Sequence, residues 1–195
     1  LPVIKSEHGQ ELSGRAYSPQ QTELIASAQA PHNALATQIA YAAGLRAHEL
    51  LTLRPADERA ADPRPALDSK WQSRDGELYT VQGKGGLTRE VMIPRELAAR
   101  LEERRLDAPE RVTDRGIYYQ STYDIGGGQR WSNSFSAASE RTMGRSTGAH
   151  GLRHSYAQER MRELQRTGML RDRALETVSQ EMGHFRPEIT ETYLR

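Results

Sequence analysis

Glu77-Leu78-Tyr79-Thr80-Val81-Gln82-Gly83-Lys84-Gly85-Gly86-Leu87-Thr88-Arg89-Glu90-Val91-Met92-Ile93 consists of two β-forming runs joined by a glycine-rich tetrapeptide. Branched and aromatic side chains suit a pleated, half-buried surface, and Gly83-Lys84-Gly85-Gly86 has the composition of a hairpin turn. The passage predicts a small antiparallel sheet. On both sides the apolar period lengthens to that of a helix, so the chain reads as mostly α with a small antiparallel β-sheet, an α+β class.

Toward the N-terminus, Ser18-Pro19-Gln20-Gln21 carries a capping Ser, Pro at the first helical position and Gln at the third, which predicts a helix over about 19–29. Pro31 restarts it. Leu35, Ile39, Ala42 and Ala43 recur at helical spacing, and Gly44 ends or kinks that run before Leu45–Leu53. Residues 54–75, with Pro55, Pro63 and Pro65, read as an irregular connection. Toward the C-terminus, Pro94 opens a helix through about Leu106, and a loop with short strands leads to Gly126-Gly127-Gly128. Ser132 is expected to cap a helix containing Phe135. The last 50 residues predict helices over about 150–166, 172–182 and 187–194.

The chain has 195 residues, enough for one sizeable domain, and no cysteine, which excludes disulfides, thiolate nucleophiles and Cys-ligated zinc. No apolar run has the length of a membrane span and no signal-peptide layout opens the chain, so no membrane partner and a cytoplasmic location are expected. The net charge of +1 conceals a strong asymmetry. Residues 130–173 hold nine Arg against four acids, a net of +5, while every other stretch is slightly acidic. A guanidinium fork binds phosphate oxygens bidentately, so an Arg-rich helical stretch suits a phosphate backbone, although a solvated helix face with i,i+4 pairs has the same composition. Arg130, Arg141 and Arg145 are candidates for DNA contact or plain surface charges.

Four separated pieces carry chemistry: Gly44-Leu45-Arg46-Ala47-His48-Glu49-Leu50; Gln82-Gly83-Lys84-Gly85-Gly86; His150-Gly151-Leu152-Arg153-His154; and Gly183-His184 followed nine residues later by Tyr193. Each has an ordinary explanation. Tyr193 alone could pack the end of a terminal helix, Lys84 could be an exposed hairpin tip, and Glu49 an ordinary helix acid. His150 and His154 have the i,i+4 spacing of a zinc pair, but the Glu of His-Glu-x-x-His is absent and no third ligand is obvious. The glycines around Lys84 lack the Gly-Lys-Ser/Thr ending of a phosphate-binding loop.

Taken together, in order and spacing, the four pieces resemble the catalytic domain of the tyrosine recombinases, the integrase family that cuts and rejoins DNA through a phosphotyrosine. The likeness covers about residues 19–194. It implies the tyrosine recombinase catalytic-domain fold over 19–195, with residues 1–18 a linker or remnant of an N-terminal region. Arg46 matches the first family arginine, Lys84 the hairpin lysine, and His150 and Arg153 the His-x-x-Arg pair. His184 matches the His/Trp position after a Gly, and Tyr193 the nucleophile. Glu49 fits the acid that follows the first arginine, and His154 is assigned a supporting or packing place.

The chemistry fits these roles. Two guanidiniums can neutralise the charge that develops on a transferring phosphodiester. A tyrosine phenol, which ordinarily titrates near ~10, needs a proton acceptor or adjacent cations to attack at neutral pH. His150 is the candidate base, and Lys84 the donor to the departing 5′ oxygen. The resemblance thus implies a site-specific recombinase of a phage or other mobile element, of bacterial or phage origin, acting on double-stranded DNA without metal, ATP or other cofactor. It also implies partner protomers, a tetramer on DNA in the full-length protein, with an N-terminal clamp and a C-terminal tail outside 1–195. Two other functions share these features: a type IB topoisomerase-like nicking-closing enzyme, and a catalytically silent DNA-binding module.

Overall fold

The computed structural model describes residues 14–195. The N-terminal part of the sequence-derived linker, residues 1–13, lies outside the described residues. In chain order come α1 (Pro19–Ser27), α2 (Pro31–Ala43), a 3-10 turn (Glu49–Thr52), β1 (Arg54–Pro55), β2 (Glu77–Gln82), β3 (Thr88–Ile93), α3 (Arg95–Glu102), β4 (Arg105–Asp114), β5 (Ile117–Tyr123), α4 (Gly128–Met143), α5 (Gly151–Arg166), α6 (Arg171–Met182), α7 (Pro187–Glu191) and a last 3-10 turn (Thr192–Leu194). Among the described residues no helix is long and apolar enough to cross a membrane.

The expected hairpin forms. β2 and β3 pair antiparallel from Glu77 opposite Ile93 to Gln82 opposite Thr88, and β1 adds a short third strand along β2. Lys84 sits in a 3-10 turn between them. The capping box at Ser18 also forms, with Gln21 N–H donating to Ser18 Oγ and Ser18 N–H to Gln21 Oε1.

Four local expectations are corrected. Residues 45–53 do not continue a helix: the Glu49 carboxylate accepts the Arg46 N–H at 2.8 Å, which folds the segment into a turn followed by the 3-10 stretch. The helix after Pro94 stops at Glu102, because Leu106 already belongs to β4. The expected loop is instead a long second sheet, β4 on β5, closed by Arg115-Gly116 with positive φ at both positions, as a two-residue hairpin turn requires. Pro109 lies in the interval where its register shifts, a place where a missing N–H costs no ladder bond. Ser132 is interior to α4, whose first turn is capped from outside by Asp114 Oδ1 accepting Gln129 N–H at 2.8 Å.

The connection over 56–75 has no regular element, but it packs firmly on α6. Leu67 N–H donates to Gln180, Ser69 pairs with Thr177, and Trp71 N–H donates to Glu181.

Two apolar clusters result. The larger joins α1, α2, the three-stranded sheet, α3 and α4 around Ile39, Val91, Trp131 and Phe135. The smaller joins α5 and α6 through Tyr156, Met161, Leu164, Val178 and Met182, and Tyr193 packs into it. Full burial of such side chains contributes roughly 1.5–3 kcal/mol each. The candidate site residues lie where the two clusters meet, near Leu45 and Leu152 of the larger and Met182 and Tyr193 of the smaller.

Candidate active site

Arg46 leaves the end of α2, Lys84 rides the β2–β3 turn, His150 immediately precedes α5, Arg153 occupies its first turn, and His184 follows the end of α6. Tyr193 lies in the last 3-10 turn. The six residues, scattered over nearly 150 positions, converge on one place.

At the centre, Tyr193 Oη is 3.1 Å from His150 Nε2. The His184 ring stacks on the Tyr193 ring at 5.3 Å between centroids, His154 lies 4.8 Å from it, and the Arg153 guanidinium stands 5.4 Å from the ring centre. Burial, with help from Arg153, holds His150 down to about 4, so its ring is neutral at pH 7 and free to accept the phenol proton.

Arg153 is fully buried. It donates to the carbonyls of Gly44 and Met182 and, at 3.0 Å, to His184 Nε2. A guanidinium only donates, so His184 Nε2 must be the acceptor and its proton sits on Nδ1, 2.7 Å from Thr190 Oγ1. Thr190 in turn meets Ser179 at 2.6 Å. Burial and the Arg153 charge push His184 down to about 3, in keeping with a ring that serves Arg153 as a neutral acceptor. Burial and the nearby Arg46 lower Arg153 to about 10, which still leaves it cationic at neutral pH.

Glu49 is wholly buried. Its carboxylate accepts from Arg46 Nη1 at 3.1 Å and Arg89 Nη2 at 2.8 Å, besides the Arg46 backbone N–H. Burial alone would raise its pKa, but the surrounding Arg89, Arg153 and Arg46 outweigh that and bring it to about 2.

These groups border an open cavity of about 850 Å³ whose wall includes Arg46, Lys84, Arg89, His150 and His184. Arg153 and Tyr193 are not in that wall; they lie behind His150 and His184. A cavity of about 910 Å³ beside β2 and α3 is lined by Asp57, Glu58, Glu77 and Glu102 with two arginines, and none of the six residues reaches it. Its carboxylates would repel a phosphate.

Arg130, Arg141 and Arg145 are exposed on α4 and the loop after it, and none lines the cavity; Arg141 caps the Ala28 carbonyl. Of the nine arginines counted between 130 and 173, Arg153 and Arg160 are fully buried, so part of that block is internal wiring rather than surface charge. Arg160 is tied to Glu181 at 2.7 Å.

Arg89, Thr190 and Glu181 escaped the sequence reading. For Arg89 a signal existed: it pairs with Val81 in register, and an arginine on the inward face of a strand requires a buried partner. Nothing in the local sequence marks Thr190 as the partner of His184. No group of three His, Asp or Glu positioned for a metal occurs among the described residues.

No family model matches the chain, and no curated protein matches it in sequence. Solved structures do match its fold. The XerH site-specific recombinase bound to palindromic difH substrate, in a post-cleavage complex, superposes with a TM-score of 0.57 at 17% identity, over 93% of this chain and 49% of that one. Its pre-cleavage complex on difH gives 0.56 at 18%, over 93% and 50%. The Tn1549 transposon integrase with transposon right-end DNA gives 0.54 at 16%, over 94% and 62%. The chain thus spans about half to three fifths of the length of these neighbours, and its fold is similar to the part of them that it covers.

Proposed function

We propose that this chain is the catalytic domain of a site-specific DNA recombinase that cleaves and rejoins strands through Tyr193. The observation that carries the reading is the 3.1 Å approach of the Tyr193 hydroxyl to a neutral His150 beside a cation-walled cavity. The scissile phosphate would sit in that cavity against Arg46, with Arg153 and His184 behind it.

Tyr193 Oη attacks the phosphorus while its proton passes to His150 Nε2. The bond from phosphorus to the 5′ oxygen breaks, and that oxygen takes a proton from Lys84. The products are a 3′-phosphotyrosyl ester and a free 5′-hydroxyl. Attack by a 5′-hydroxyl from the partner strand reverses the steps and completes exchange. Desolvation lowers His150 most and the Arg153 and Arg46 charges next; the phosphate's own negative charge offsets the part due to those arginines and so favours proton transfer to His150. The phosphate, the DNA and the mobile-element context complete the proposal, together with further protomers on the same DNA, a bacterial or phage source and a cytoplasmic setting.

A duplex nicked near the scissile phosphate should trap a covalent adduct with the chain, unaffected by EDTA. Tyr193→Phe should abolish the adduct while retaining DNA binding; an adduct formed by Tyr193→Phe would refute the nucleophile. Arg46→Ala should slow adduct formation by about 100-fold or more, with a smaller loss of affinity. Equal losses of both would remove the transition-state role. Repeated relaxation of supercoiled plasmid without strand exchange would favour the nicking-closing alternative, and binding without any adduct would favour the silent module.

A further inference from the structure

Arg89 stands on β3, five residues after Lys84, and its side chain is 7% exposed. Each of its three guanidinium nitrogens is engaged. Nε and Nη2 reach the two Glu49 oxygens at 3.3 and 2.8 Å, and Nη1 donates to the Glu181 carbonyl at 2.8 Å. The same Glu49 oxygens hold the Arg46 backbone and guanidinium. The Glu181 carbonyl lies in the last turn of α6, one residue before the Met182 carbonyl that takes Arg153 and three before His184. Space for the guanidinium arm is provided by Gly183: a Cβ there would stand 2.4 Å from Arg89 Cδ.

We infer that Arg89 is a positioning residue of the cleavage site, setting the place of the Arg46 guanidinium through Glu49 and the place of His184 and Arg153 through the end of α6. The inference rests on the reading that these residues act in strand cleavage. Arg89 borders the cavity but is only 7% exposed, and each of its nitrogens already holds a protein oxygen, so its effect on cleavage passes through Glu49 and the end of α6. Removing it leaves a buried carboxylate with half of its acceptor sites unmatched. Glu49 then either draws Arg46 further onto itself or takes up a proton, and in both cases Arg46 loses its setting toward the cavity.

The charged and titratable groups facing Glu49 are Arg46 and His48 from its own segment, Arg89 from β3, Arg153 from α5 and His184 after α6, with Lys84 at the turn beyond. Of these, Arg89 is the strongest support of the ionised carboxylate, which titrates near 2 with it in place.

The test is single-turnover cleavage of the nicked duplex by the wild-type chain, Arg89→Met and Arg89→Met/Glu49→Gln, with DNA affinity measured separately. Arg89→Met should form the adduct about 30-fold more slowly while its Kd changes by less than about threefold. The acid-side fall that protonation of His150 already imposes on the wild type should move to higher pH in Arg89→Met, as Glu49 begins to protonate, and the double variant should lose that displacement. Wild-type cleavage by Arg89→Met, or a parallel loss of rate and affinity with an unchanged pH profile, would overturn the inference. Carboxyl carbon NMR of Glu49 gives a readout independent of DNA: its titration should move up from about 2 in Arg89→Met, and in the milder Arg89→Lys should that variant fold better. A titration that stays put overturns the role of Arg89 whatever the activity. Should the wild type form no adduct, the proposed function fails and the titration alone decides the question of Arg89.

Discussion

At the scale of single residues, charge burial governs both chemistry and stability. His184 is nearly buried and titrates near 3 against an ordinary value of 6.5, so the folded state binds fewer protons than the unfolded chain between those limits. The stabilisation is complete above pH 6.5 and is lost as the pH falls toward 3. Glu49 contributes with the same sign but only lower down, from its ordinary 4.5 to about 2, which leaves the interval between 6.5 and 4.5 to the histidines. Urea unfolding should show stability falling by roughly 1–3 kcal/mol over that interval, and His184→Asn should flatten the fall. An unchanged slope in His184→Asn would mean that the ring is not held neutral by its surroundings. Glu181 makes the complementary case, since it pairs with Arg160 inside the α5–α6 cluster and both side chains are fully buried. Glu181→Ala leaves that guanidinium with only the partly exposed Glu163 as a carboxylate partner and should cost about 3 kcal/mol in the same assay.

At the scale of elements, legibility followed the apolar pattern. The helices around Leu35–Ile39 and Leu152–Leu164, and the β2–β3 hairpin, have one face in a core, so their periods show in the residues. The β4–β5 sheet does not: every side chain of β4 is exposed or half-exposed and the buried residues of β5, Ser121-Thr122-Tyr123, are consecutive, so there is no alternation to read. Five of the six candidate site residues stand out in motif spacing because each sits beside a local punctuation mark, a glycine turn or a helix start, and Tyr193 stands out by its offset from His184. Arg89 and Thr190 act across the fold on partners remote in sequence or hidden by a turn, and local spacing carries no trace of that. The start of α4 tests the same point. Ser132 looks like a cap in sequence, but Asp114 on β4 provides the cap in three dimensions. Asp114→Ala should therefore cost about 1 kcal/mol of stability, while Ser132→Ala should change it by less than about 0.5 kcal/mol. Thermal unfolding of the two variants separates the possibilities, and the reverse ranking would restore Ser132 as the cap.

At the scale of the whole molecule, if the proposed DNA partner holds, a chain of net charge +1 engages that polyanion through the arrangement of its charge rather than its sum. Several arginines are already buried or paired within the protein. Arg153 and Arg160 are buried, Arg171 pairs with Glu191, and Arg95 is held by Asp75 and Glu77. Arg130 and Arg145, in contrast, are exposed and make no ion pair among the described residues. Their placement gives them meaning: α4 starts beside a second cavity that shares the Lys84 turn, and the loop after it leads through Arg145 to His150. The two charges thus stand at opposite ends of one helix outside the cavity, where they are candidates to meet phosphates away from the scissile one. With few such charges, DNA binding should show a modest salt dependence, a log–log slope of roughly −3 to −5. The double variant Arg130→Glu/Arg145→Glu should weaken binding and flatten that slope by about 2, while the rate of adduct formation at saturating DNA stays near wild type. Fluorescence anisotropy at graded salt, paired with single-turnover cleavage, checks both halves. An unchanged slope would place the DNA on another face of α4, and a slope lost together with the saturated rate would mean that these arginines touch the reacting phosphate itself.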